Sequence, residues 1–192
     1  KVATYDLRVD IDHNFIADGI VVHNTGNQRS SATPKFASTT TSPAGSVIPG
    51  KQQWRKSLTE IAIAHDVPYV AQAALHDFRD LTMKAKKAFA KTPSVLVVLA
   101  PCPTNWGFDP SETVEISKLA VETCFWPLYE YENGKYKLNY KPAKKLPVVE
   151  FLRRQRRFKH LFKPGNEKLI EEIQKRVDEK WKELLEKCGL TD

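Results

Sequence analysis

The chain has 192 residues, 41% of them hydrophobic and 28% charged, with a formal net charge of +7. This profile fits a soluble globular protein with one domain, or one domain plus a small extra piece, and excludes a disordered chain. The longest apolar run, Val95 to Ala100, is far too short to cross a bilayer, so no membrane association is expected.

The start is polar and acidic, unlike a signal peptide. It opens on Lys1 rather than Met, which points to a processed product or the downstream part of a longer reading frame. Residues 1–24 alternate apolar and polar positions: Tyr5, Leu7, Val9 and Ile11, then Phe15 and Ile16, then Ile20, Val21 and Val22. With Asp18-Gly19 as a turn, they read as two or three short strands. From residue 25 the composition changes sharply. Thr25-Gly26-Asn27-Gln28 leads into a Ser/Thr/Pro/Gly-rich stretch that runs to Pro49-Gly50, a functional or flexible loop.

Residues 54–126 read as α/β structure. Trp54, Leu58, Ile61, Ala62 and His65 fit one helix face, and Tyr69–Leu75 is a short strand. Asp77 can cap a helix to about Lys91 that turns Phe78, Leu81, Ala85 and Phe89 inward. Ser94–Ala100 fits a strand buried on both faces, and hence parallel. Ser111 or Asp109 opens the next helix, with Val114, Ile116, Leu119 and Ala120 inside. Leu128–Tyr131 and Lys135–Tyr140 flank Glu132-Asn133-Gly134, a hairpin signal because Asn-Gly accepts positive φ. Asn166 can cap a final helix whose stripe runs from Leu169 and Ile170 through Ile173, Val177 and Trp181 to Leu185, closed by Gly189.

The charge is concentrated. Residues 141–160 hold eight lysines and arginines against Glu150 alone, and the rest of the chain sums to zero. A uniformly basic nucleic-acid coat is therefore excluded. Three cysteines, Cys102, Cys124 and Cys188, make no disulfide framework, so a reducing, cytoplasmic compartment is expected.

The junction Val21-Val22-His23-Asn24-Thr25 carries chemistry of its own. An Asn side-chain amide can attack its own main-chain carbonyl, closing a succinimide and breaking the bond that follows. A neighbouring His can protonate the leaving amine, and a hydroxyl after the bond can accept an acyl group. Tyr5-Asp6-Leu7-x-Val9, His13-Asn14-Phe15 and Gly19-Ile20-Val21-Val22-His23-Asn24 resemble the two C-terminal motif blocks of an intein. The resemblance implies that Asn24 cyclises with help from His23. His13 is then a second acid/base, Asp6 coordinates the junction steps, and Thr25 is the transesterification nucleophile. The N-terminal nucleophile and upstream Thr/His block of an intein are absent, so cleavage after Asn24, or splicing with a partner fragment, is the most expected of this chain.

From Thr25 on, a second resemblance takes over. Thr25-Gly26-Asn27-Gln28-Arg29-Ser30-Ser31-Ala32-Thr33-Pro34, Thr39-Thr40-Thr41-Ser42-Pro43-Ala44-Gly45, Ala64-His65-Asp66-Val67-Pro68-Tyr69-Val70-Ala71, Leu99-Ala100-Pro101-Cys102-Pro103-Thr104-Asn105-Trp106-Gly107, Trp126–Tyr131 and Gln155-x-Arg157-Phe158 stand in this order. They resemble the β subunit of pyruvate:ferredoxin oxidoreductase (pyruvate synthase). The resemblance implies a two-part chain: an intein segment at 1–24, and at 25–192 the C-terminal part of an α/β thiamine-diphosphate domain with a mostly parallel sheet, a hairpin and a C-terminal helix. It implies thiamine diphosphate with Mg²⁺, a [4Fe–4S] cluster, CoA as cosubstrate, and further subunits and ferredoxin as partners. Thr25, Gly26 and Gln28 match the thiamine-side loop, and Cys102 matches the family's lone downstream cluster ligand.

The Gly-Asp-Gly metal motif and the upstream cysteines of that family are missing, so the chain alone is expected to hold neither group. Pyruvate is the expected substrate, with branched 2-oxoacids the alternative. A remaining reading has segment 141–160, with Phe151, Phe158 and His160 interleaved, binding nucleic acid by phosphate contacts and stacking. No nucleic-acid motif accompanies it.

Overall fold

The computed structural model describes residues 14–17, 20–23 and 33–191. Strands β1 (Asn14–Ala17) and β2 (Ile20–His23) pair antiparallel, with Asn14 opposite His23; the expected Asp18-Gly19 turn lies outside the described residues. The remainder is an α/β unit. Its elements are α1 (Leu58–Ala64), β3 (Tyr69–Ala74), α2 (Phe78–Ala90), β4 (Ser94–Leu99), α3 (Pro103–Trp106), α4 (Thr113–Glu122), β5 (Tyr129–Glu132), β6 (Lys135–Leu138), α5 (Val149–Arg153) and α6 (Glu167–Lys187).

Local chemistry sets the boundaries. The Ser57 hydroxyl accepts from the Glu60 amide to open α1, and the Asp77 carboxylate accepts from the Asp80 amide to open α2. Asp109 caps a short 3-10 turn, Pro110–Glu112, that runs into α4. Gly189, at φ 68°, closes α6. Asn166 precedes α6 without capping it, because its side-chain amide donates to the His160 carbonyl instead.

The four-stranded sheet has the order β4-β3-β5-β6. Only β3 and β4 run parallel, joined through α2; β5 enters antiparallel beside β3, and β6 folds back on it. The sheet is thus mixed rather than mostly parallel. The expected Asn133-Gly134 turn, with φ of 50° and 81°, reverses the chain after β5 and forces the antiparallel partner. The fully buried strand is β3, every residue of which is inside. Strand β4 is an edge strand among the described residues and only half-buried, so its apolar run alone overstated its burial.

Two helices turn a different face inward than their apolar spacing predicts. In α2, Phe78 and Phe89 are 67% and 64% exposed, whereas Lys84 is 1% exposed and Ala88 is buried. The Lys84 ammonium donates to the Gln72 carbonyl at 2.8 Å and to Asp80 at 2.7 Å. Those bonds, and the small Ala88 against Tyr69, Ala71 and Leu96, fix the helix orientation. In α1, Thr59 and Ala62 face the core while Leu58 and Ile61 are partly exposed. Thr59 is inside because its hydroxyl accepts from the Tyr129 hydroxyl at 2.7 Å. Val114 of α4 also lies outside, with Ile116, Leu119 and Ala120 buried as expected.

The main core gathers α4, α5, α6 and the Trp126–Tyr129 segment around Phe151, Leu152, Phe158 and Trp181. On the sheet, Glu130 is 3% exposed and receives Tyr69 Oη, Lys87 Nζ, Lys137 Nζ and Asn139 Nδ2. Burial alone raises its pKa, but the hydrogen bonds from Lys87, Tyr69 and Lys137 outweigh it and hold the carboxyl at about 2. A carboxylate depressed on folding contributes stability that is present above its ordinary value of 4.5 and is lost as pH falls towards 2. Glu130→Gln should therefore lower unfolding free energy by about 2–3 kcal/mol at pH 7. In denaturant titrations at stepped pH, the gap to the wild type should close as pH approaches 2.

Candidate functional site

In an open α/β sheet, ligands gather where parallel strands end at their carboxyl edge. Here that edge is the exit of β3 into His76 and the exit of β4 into Pro101-Cys102-Pro103. Cys102 adopts extended backbone at the head of α3, with Pro103 at the first helical position and its hydrogen-bond-free start. The Cys102 carbonyl accepts from the Trp106 amide, and its half-buried thiol is free of any disulfide. The short helix ends at Gly107, φ 70°, where an added Cβ would lie 2.6 Å from Arg156 Cβ. Glycine is required there because the Arg156 amide donates to the Gly107 carbonyl and pulls the two turns together.

That contact brings in a second segment. Arg157 is 8% exposed, and its guanidinium lies 3.8 Å from the Trp106 ring centroid. Its Nε donates to Gln155 Oε1, and Gln155 Nε2 donates to the Phe151 carbonyl. No carboxylate pairs with it among the described residues. Burial lowers its pKa to about 9, opposed by the neighbouring Cys102. A third segment crosses behind: the Ser38 amide donates to the Arg157 carbonyl, and the Lys51 amide donates to the Ala37 carbonyl. Gly50, φ 78°, passes so close to Ala37 that a Cβ would lie 2.6 Å from its carbonyl oxygen.

Two histidines sit on this framework. Burial lowers the His160 pKa against backbone groups of Pro49 and Phe36, which favour its charge. Burial lowers that of His76 as well, against nearby Asp77 and Glu122. Neither His160 Nε2 nor His76 Nδ1 has a hydrogen-bond partner among the described residues.

Of the expected site residues, Cys102 lies at the carboxyl edge of the sheet, and His23 ends β2. Asp6, His13, Asn24, Thr25, Gly26 and Gln28 lie outside the described residues. Gln155 and Arg157 carry no functional signal in the sequence beyond their motif, because their join to Trp106 and the Cys102 turn is a tertiary contact. Cys124 is packed in the main core and Cys188 against it.

Segment 141–160 is less available than its charge implies. Arg157 is buried, Lys145 pairs with Asp178, Arg154 pairs with Glu112, and Lys141 donates to the Thr191 carbonyl.

Among the described residues, no three His, Cys, Asp or Glu side chains are grouped to hold a metal ion. Cys102 fits a cluster site as one thiolate ligand beside an uncompensated cation, and the other ligands must come from elsewhere. No helix among the described residues is long and apolar enough to cross a membrane.

No family model matches the chain. It is 51% identical over 162 residues to the pyruvate synthase subunit PorB of Methanocaldococcus jannaschii, covering 84% of this chain and 53% of that protein. It is 46% identical over 164 residues to the PorB of Thermotoga maritima, covering 84% and 51%. Against the ketoisovalerate oxidoreductase subunit VorB of Pyrococcus furiosus it is 44% identical over 164 residues, with the same two shares. The chain spans about half the length of the curated relatives it matches.

A base whose pKa is depressed on folding binds fewer protons in the native state than in the unfolded chain. Its contribution is complete above the ordinary His value of 6.5 and declines as pH falls through it. Thermal unfolding midpoints should therefore drop between pH 7.5 and 5.5. His160→Gln, which cannot take up the proton, should make that slope shallower. Gly107→Ala should destabilise at every pH by about 1 kcal/mol or more, because both φ and Arg156 oppose a side chain.

Proposed function

We propose that residues 25–192 are the C-terminal part of the β subunit of a 2-oxoacid:ferredoxin oxidoreductase. The assembled enzyme oxidatively decarboxylates pyruvate to an acyl-CoA and passes electrons to ferredoxin. The observation that carries the reading is the 51% identity over 162 residues to a pyruvate synthase subunit. PorB relatives span 43–51% identity and VorB relatives 43–44%; the ranges overlap, and pyruvate is the reading taken from the upper end of the first.

In this reading the Cys102 thiolate is one of four ligands to a [4Fe–4S] cluster, the others coming from outside the chain. Arg157 balances the negative charge that a thiolate brings to the carboxyl edge of the sheet. Trp106 and the Phe36–Gly50 crossing limit water there, which keeps the electrostatics strong. Thr25, Gly26 and Gln28, which match the family's thiamine-side loop, would hold the diphosphate and Mg²⁺. Bound thiamine diphosphate supplies the carbanion chemistry. Each group needs, in this reading, the upstream half of the β subunit as well.

Residues 1–24 are, in the same proposal, the C-terminal segment of an intein, and they carry the motif order from Tyr5-Asp6 to His23-Asn24. Asn24 Nδ2 attacks the Asn24 carbonyl carbon and closes a succinimide. The Asn24–Thr25 bond breaks, and His23 gives its proton to the leaving Thr25 amine. His13 serves as a second acid/base, and Asp6 helps coordinate the junction steps. Thr25 Oγ is the acceptor when an upstream acyl group is present.

Complexes purified with the chain's segment in place should reduce ferredoxin in the presence of CoA and pyruvate faster than with 2-oxoisovalerate. The reverse order favours a branched-chain enzyme, and no turnover with either overturns the reading. Cys102→Ala should remove the electron paramagnetic resonance signal of one reduced cluster per β subunit. For the junction, mass spectrometry of the incubated chain should show loss of residues 1–24, and Asn24→Ala should abolish it.

A further inference from the structure

A cavity of about 500 Å³ lies between α6 and the Trp54–Ile61 segment, well apart in the chain from the Cys102 turn. Ile173, Val177 and Leu184 of α6 form an apolar wall, and Phe125, Pro127 and Gln72 form the floor. Six cations line it, Lys35, Arg55, Lys56, Arg176, Lys180 and Lys187, against Glu60 and Glu183.

Pairing accounts for most of that charge. Lys187 meets Glu60, Lys180 meets Glu183, Arg176 lies near Glu179, and Lys35 meets Glu172. Arg55 and Lys56 have no carboxylate among the described residues. Lys56 is exposed to water, whereas Arg55 is half-buried. The Arg55 guanidinium stacks 4.7 Å from the Trp126 ring centroid and 6.0 Å from that of Phe125. Stacking uses the face of the group and leaves its five edge donors unspent. Among the described residues no oxygen accepts from them. Burial lowers the Arg55 pKa to about 10, which marks the same lack of a counter-charge.

An uncompensated buried cation is unfavourable unless something anionic completes it. A planar guanidinium is matched in two-point fashion by a carboxylate or a phosphate. The apolar wall beside it suits an uncharged body on the same molecule.

We propose that this cavity binds a small amphipathic anion, its carboxylate or phosphate held by Arg55 and its apolar body laid along Ile173, Val177 and Leu184. Lys56 at the rim draws the anion in. The inference does not rest on the oxidoreductase reading.

Isothermal titration calorimetry of the full chain with hexanoate, phenyl phosphate, acetate and inorganic phosphate tests it. Hexanoate or phenyl phosphate should bind at least tenfold tighter than its bare counterpart, and the stronger of the two identifies the head group. Arg55→Met should lose at least tenfold in affinity while keeping or raising the unfolding midpoint, because it removes an unpaired half-buried charge. Arg55→Lys keeps the charge without the fork and should also weaken binding, which guards against a misfolded methionine variant. Absence of binding by all four anions overturns the proposal. So does equal affinity in the wild type and both variants, or equal binding of uncharged hexanol.

Discussion

Strand β3 is the constraint on which the rest of this architecture depends. All six of its residues are buried, so every polar group along it must find a protein partner. Strand β4 serves one edge and β5 the other, but β5 stops at the Gln72–Tyr129 pair. Beyond it the Ala73 carbonyl accepts from Trp126 Nε1 at 2.8 Å, and Gln72 Nε2 donates to the Pro127 carbonyl. The Gln72 carbonyl takes the Lys84 ammonium. The run of alanines at 71, 73 and 74 lets helices and the Trp126 indole approach closely enough for those bonds to form. Remove any one partner and a buried acceptor is left bare, which costs about 1–3 kcal/mol.

That same demand explains which features could be read ahead of the structure. Signals with a local cause were legible: the Asn133-Gly134 reversal, the Asp77 cap, the α6 stripe and the parallel β3–β4 pair. Signals whose cause is distant were not. Apolar spacing placed Phe78 and Phe89 inside α2, yet the orientation was decided by Lys84 reaching back to Gln72. Apolar content predicted β4 buried on both faces, yet burial is a matter of neighbours, and it is β3 that has strands on both sides. The site divides in the same manner. Cys102 stood out only through the family resemblance of the segment around it, whereas the Arg157–Trp106 stack, the Gln155 bond and the two half-buried histidines exist only once three segments meet.

Two cations of one chemistry behave differently here. Arg157 and Arg55 are both stacked on tryptophan rings, and burial depresses both. Arg157 spends Nε on Gln155 and lies beside a thiol that carries charge when ionised. Arg55 spends nothing and faces open volume. A guanidinium over an aromatic ring is partly compensated by the ring's quadrupole, which is worth about 0.5–2 kcal/mol. That is well short of the several kcal/mol that burying an unpaired ion costs. In the two proposals above a counter-charge supplies the remainder: the cluster ligand beside Arg157 and a bound anion at Arg55.

The position of β5 within the sheet also bears on how the chain assembles. β3, α2 and β4 are contiguous and form one crossover unit whose contacts are short in sequence. The other edge of β3 waits for Glu132 to pair with Tyr69, and Ala73 waits for Trp126. During vectorial synthesis the inner strand is therefore made long before its second neighbour leaves the ribosome. In that interval it presents an open apolar edge, and topology of this kind slows folding relative to purely local contacts. The Asn133-Gly134 reversal shortens the wait, because once β5 emerges its own partner β6 follows within two residues and the pair can dock as a unit.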